Sequence, residues 1–79
     1  MAQVSRPGVV KRREAVSSSS IASVGYDAGT KTLEVEFNGG RVYRYYGVPG
    51  AVHSQLLEAS SVGAYFNANV RDKFPYEQL

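Results

Sequence analysis

The segment Thr32-Leu33-Glu34-Val35-Glu36-Phe37, followed by Asn38-Gly39-Gly40 and then Tyr43-Arg44-Tyr45, constrains the fold of this chain more than any other. Alternation of apolar and polar residues has a period of two. Leu33, Val35 and Phe37 therefore share one strand face, and Thr32, Glu34 and Glu36 share the other. Asn-Gly-Gly supplies the positive-φ positions that a tight reversal needs, and the chain then returns as a second strand. The outcome is a hairpin with one dry side and one wet side.

Loop length decides which way the tyrosines point, because a one-residue shift of register turns every side chain to the other face. A two-residue loop pairs Val35 with Val42 or Arg44 and leaves Tyr43 and Tyr45 beside the glutamates. A three-residue loop, with Gly40 left-handed, pairs Val35 with Tyr43, Leu33 with Tyr45 and Glu34 with Arg44. The second is favoured, since aromatic–aliphatic and opposite-charge cross-strand pairs each add roughly 0.2–1 kcal/mol. It makes Tyr43 and Tyr45 structural residues of the core. Tyr46 is left as the exposed ring, on the face of Arg44 and Val42.

Ile21, Val24 and Tyr26 mark an earlier strand with one slip of phase, which predicts a bulge, and Asp27-Ala28-Gly29-Thr30 is turn chemistry. After the hairpin, Pro49 suits the first turn of a helix whose apolar stripe is Val52, Leu56 and Leu57. Ser60-Ser61 interrupts with capping residues before a second stripe of Val62, Tyr65, Phe66 and Val70. That helix ends before Pro75, and Phe74 and Tyr76 are placed to fold back as a hydrophobic latch. The predicted architecture is α+β: a three-stranded antiparallel sheet followed by two short helices packed on one face.

Residues 1–15 show no useful periodicity and are broken by Pro7-Gly8, so they read as a flexible basic arm, with residues 16–79 as the domain. The formal charge of +2 divides unevenly between the two. Arg6, Lys11, Arg12 and Arg13 stand against Glu14 alone in the arm. In the domain Lys31, Arg41, Arg44, Arg71 and Lys73 are outnumbered by Asp27, Glu34, Glu36, Glu58, Asp72 and Glu77. The basic excess belongs to the arm, which counts against strong nucleic-acid binding by the domain alone.

Several function classes are excluded at this level. The chain has no cysteine and a single histidine, so neither a disulfide framework nor a thiolate or His-based metal site can be assembled. No apolar run approaches the ~20 residues of a membrane helix, and a cytoplasmic location with no membrane partner is expected. His53 has Ser54 beside it but no carboxylate three or four residues away, and no catalytic motif is present, so no enzyme and no cofactor are expected.

The parts named above, taken in order, resemble the KTSC domain, a short module found alone in bacterial proteins and at the C-terminus of some lysyl-tRNA synthetases. The resemblance runs from Val16 to Tyr76. It is carried by Val16-Ser17-Ser18-Ser19-Ser20-Ile21, Gly25-Tyr26-Asp27, the alternating strand and Gly turn, Tyr43-Arg44-Tyr45, Val48-Pro49, Ser61-Val62-Gly63, Tyr65-Phe66-Asn67 and Val70-Arg71. Val62 stands where the family usually has Lys, so a basic contact is missing from that turn. The resemblance implies the α+β fold and, as an expectation, RNA binding.

The nucleic-acid candidates are Arg41, Arg44, Tyr46, Asn67 and Arg71, with Lys11, Arg12 and Arg13 from the arm. Arginines hold phosphates and an exposed aromatic ring stacks bases. The expected function is a non-enzymatic accessory module that binds RNA or other single-stranded nucleic acid weakly. The alternative is a protein-interaction module that uses an apolar helix or an exposed strand edge.

Overall fold

The computed structural model describes residues 13–79. Lys11, Arg12 and the rest of 1–12 lie outside the described residues. The chain forms β1 (Arg13–Ala15), β2 (Ile21–Asp27), β3 (Thr32–Phe37), β4 (Val42–Tyr45), α1 (Gly50–Glu58), α2 (Val62–Asn69) and β5 (Tyr76–Gln78). All strands pair antiparallel in the order β1-β2-β3-β4-β5.

The sheet thus has five strands where three were expected. Arg13–Ala15, assigned above to the arm, pairs as an edge strand with Ser23–Gly25 of β2. Tyr76–Gln78, expected as part of a latch, pairs with Tyr43–Tyr45 of β4. Both additions are three residues long and polar enough to lack a readable period. A strand edge that is already built supplies their hydrogen bonds, so no pattern of their own is required.

The hairpin takes the three-residue loop. Val35 pairs with Tyr43, Leu33 with Tyr45 and Glu34 with Arg44, and the Phe37 N–H donates to the Arg41 carbonyl at 2.8 Å to close the turn. Gly39 and Gly40 have φ of 107° and 95°, a region where any side chain would be strained. The phase slip of β2 is also present, as a register shift between Ile21 and Ser23.

Both helices cover the face of Leu33 and Val35. The core is Ile21, Val24, Leu33, Val35, Tyr45, Val48, Leu56, Val62, Phe66 and Val70, and each large side chain buried there contributes roughly 1.5–3 kcal/mol. Pro49 sits at the N-cap of α1, one position before the first turn where it was expected. Ser61 caps α2 by accepting from the Ala64 N–H at 3.2 Å. The Tyr65 hydroxyl donates to Gln55 at 2.8 Å and ties the two helices together. The start of α2 lies close to the loop before β2, for a Cβ at Gly63 would sit 2.6 Å from the Ser20 hydroxyl oxygen.

Candidate functional site

The pleat of β4 sorts the candidate residues onto two faces. Arg44 points away from the helices with Glu34, and Arg13 arrives on the same face from β1, because its partner Gly25 pairs onward with Glu34. Glu34 accepts from Arg13 at 2.9 Å and from Arg44 at 3.1 Å. The carboxylate side chain is 8% exposed, so two arginines surround one almost buried anion. Next to this row the Tyr46 hydroxyl donates to Glu77 at 2.9 Å. Tyr46 is half-buried rather than the exposed ring that was expected. Arg13, Arg44 and Tyr46 therefore have their polar groups engaged within the protein.

The opposite face holds a groove of about 590 Å³. Its floor is aromatic: Phe37, Tyr43, Tyr45 and Phe66, with Tyr76 of β5 forming one side. Phe66 meets Phe37 and Tyr45 edge-on at ring separations of 5.4 Å, and Tyr43 and Tyr76 lie 5.7 Å apart. The hairpin end contributes Asn38 and Arg41, the loop before β2 contributes Ser19 and Ser20, and α2 with its following turn contributes Asn67, Arg71 and Asp72. Arg41, far away in the sequence, is thus gathered at one site with Asn67 and Arg71. All three are exposed. The ion pairs among the described residues, Arg13–Glu34 and Arg44–Glu34, include neither Arg41 nor Arg71.

Sequence reading placed Tyr43 and Tyr45 on the core side, and they are there, Tyr45 fully buried and Tyr43 half-buried. It did not foresee that both would also line a groove, nor that Ser19, Ser20 and Tyr76 would join them. The position of Tyr76 depends on β5, which has no periodic signature. Burial, with the neighbouring Tyr76 and Tyr43 adding to it, pushes the Tyr45 hydroxyl up to about 12, so it stays protonated and can donate.

A second, smaller hollow is lined by Glu14, Val24, Gly25, Tyr26 and His53. His53 stacks on Tyr26 with ring centroids 4.7 Å apart, and the Tyr26 hydroxyl donates to the Val48 carbonyl. Burial lowers the His53 pKa below its ordinary value, with Glu14 opposing the shift. This stack anchors α1 to β2. Among the described residues no cluster of three or more side chains suited to a metal ion occurs, and no helix is long and apolar enough to cross a membrane.

An antiparallel sheet with two helices on one face and an aromatic groove beside the second helix defines a small α+β module. Residues 17–74 match the family model of the KTSC domain. The chain belongs to the KTSC domain family. It is 38% identical to a KTSC domain protein from Yersinia pestis whose crystal structure superposes with a TM-score of 0.82, covering 86% of this chain and 96% of that one. It is 52% identical over 56 residues to an uncharacterized protein of Stutzerimonas stutzeri, covering 71% of this chain and 79% of that one. It is also 44% identical over 61 residues to a lysine–tRNA ligase of Trichormus variabilis, a match that spans 77% of this chain but 11% of the ligase.

Proposed function

We propose that this domain is a cytoplasmic, non-enzymatic accessory module that binds RNA or other single-stranded nucleic acid weakly, through the groove of Arg41, Asn67 and Arg71. One observation carries the reading: two arginines outside the ion pairs, and an exposed amide, meet over an aromatic floor. That is the combination of phosphate contacts and ring faces with which small sheet domains hold unpaired bases. The match within lysine–tRNA ligases, enzymes named for an RNA substrate, supports it. The net charge of the groove's ionised side chains is low, because Asp72 faces the same space as the two arginines, and weak affinity follows.

The test is fluorescence anisotropy of a labelled single-stranded oligoribonucleotide against the full chain at two salt concentrations, compared with the Arg41→Ala/Arg71→Ala variant. Each single-strand phosphate contact contributes about 0.7 to the salt slope, so the double variant should flatten it by at least roughly 0.7, the share of one phosphate held by the arginine pair. A second reading has its own observation: β5 is an edge strand, and Tyr76 and Leu79, each 54% exposed, are the exposed large apolar side chains among the described residues. If the full chain associates with neither single-stranded RNA nor DNA at low salt, strand-edge binding of a protein takes the place of the nucleic-acid reading.

A further inference from the structure

The floor of the groove holds a polar group that no described residue uses. Tyr45 is only 4% exposed, and its ring is fixed by Phe66 and Tyr76, each 5.4 Å away between centroids. The hydroxyls of Tyr26, Tyr43, Tyr46 and Tyr65 all find protein acceptors. Among the described residues the Tyr45 hydroxyl has no hydrogen-bond partner, and the side chain lines the groove. A buried tyrosine usually places its O–H on a partner, so an unused one at the bottom of a groove is a recognition group waiting for an external acceptor or donor.

We propose that the groove holds a single nucleotide, with its base against Tyr76 and a polar base edge on the Tyr45 hydroxyl and the Asn67 amide. The phosphate is held by Arg41 and Arg71. The inference rests on the nucleic-acid reading of this groove and narrows it to one ligand unit. Size supports the narrowing, since about 590 Å³ lies within the range of ~300–1,000 Å³ typical of small-molecule sites. A splayed-out base enters such a space while its neighbours stay outside it. Charge agrees with this, because two arginines offset by Asp72 accommodate one phosphate better than several.

The experiment is an NMR titration of the full chain at low salt with adenosine 5′-monophosphate, uridine 5′-monophosphate, ribose 5-phosphate and a single-stranded oligoribonucleotide. It is repeated on Tyr45→Phe and Asn67→Ala. The nucleotides should shift the resonances of Arg41, Asn67, Arg71 and Tyr76. Tyr45→Phe should bind nucleotides about three- to tenfold more weakly, the effect of one hydrogen bond, and bind ribose 5-phosphate as the parent does. The melting temperature of Tyr45→Phe without ligand should not fall, since the hydroxyl has no partner among the described residues to lose. Asn67→Ala, on an exposed position, should weaken nucleotide binding with the fold intact. If the oligonucleotide binds but the mononucleotides leave the groove unshifted, or Tyr45→Phe binds them like the parent, this inference fails and the nucleic-acid reading stands. If Tyr45→Phe melts well below the parent, the hydroxyl has an internal role and the inference fails. If neither oligonucleotide nor mononucleotide binds, both fail together.

Discussion

Arg44 and Glu34 stand directly opposite each other on the β3–β4 hairpin, and Arg44 donates to the carboxylate at 3.1 Å while Arg13 approaches its other oxygen. Glu34 is the hub of three strands. Glu34→Ala leaves two arginines without their shared acceptor. It should cost about 1.5–3 kcal/mol, the range for hydrogen bonds to charged groups, read as a lower urea midpoint. High salt should weaken the parent's advantage only partly, because a carboxylate so little exposed is poorly screened. A variant as stable as the parent would mean the row is ornamental.

Tyr45 fills the centre of the core beside Phe66. Truncation to Ala should cost ~3–5 kcal/mol and unfold much of a domain this small at room temperature, which far-ultraviolet circular dichroism would show. Its hydroxyl pKa is raised to about 12 from 10.0. The native state therefore keeps the proton more tightly than the unfolded state, and the associated stability is present below pH 10 and lost as the pH climbs toward 12. Alkaline unfolding should fall in that window, and Tyr45→Phe should abolish the part due to this group.

His53 has the opposite sign. Its pKa is lowered from 6.5, chiefly by burial. The unfolded chain binds the proton more readily, so the contribution is intact above pH 6.5 and declines as the pH falls through the lowered native value. His53→Phe keeps a ring against Tyr26 and removes the titration. Its melting temperature should drop less than the parent's between pH 7.5 and 5. Equal drops in both proteins would assign the acid sensitivity to carboxylates instead.

Ser61 supplies the N-cap of α2. Ser61→Ala should cost about 1 kcal/mol, with Ser61→Asp restoring most of it, as measured by chemical denaturation. Because α2 carries Asn67 and is followed by Arg71, the Ala variant should also blunt any ligand-induced shift at the groove.

The arm supplies charge in the sequence whatever its structure. If single-stranded nucleic acid binds, removing residues 1–12, which include Arg6, Lys11 and Arg12, should flatten the salt slope by roughly two units, at about 0.7 per charge. An unchanged slope would confine all phosphate contacts to the domain.

How far the sequence carried depended on whether a residue's neighbours announced themselves by period. Leu33, Val35 and Phe37 did, and the pairing of Glu34 with Arg44 favoured the three-residue loop that the hairpin takes. Val52, Leu56 and Leu57, and Val62, Phe66 and Val70, did the same for the helices. Arg13–Ala15 and Tyr76–Gln78 did not, since three residues hold less than two repeats and their stability comes from strands already formed. The site inherited both outcomes. Arg41, Asn67 and Arg71 were named singly, but their meeting depends on how α2 lies against the hairpin, which is tertiary. Arg44 was named as a binder although the favoured register already set it opposite Glu34, and Arg13's share in that ion pair required β1. The unused hydroxyl of Tyr45 could not be read at all, because core burial and groove lining are indistinguishable in a pattern of alternate residues.

The turn at Asn38-Gly39-Gly40 has a reach out of proportion to its size. Odd-numbered residues of β4 furnish the aromatic floor and even-numbered ones the charge row, so the turn acts as a phase selector for two unlike surfaces. Deleting one of its glycines would set the opposite phase, removing the groove together with the core packing of Tyr45. Val42 and Arg44 would then be driven beneath the helices, while Tyr43 and Tyr45 went out among the glutamates. A three-residue bend made wholly of exposed residues thereby governs which chemistry the domain presents.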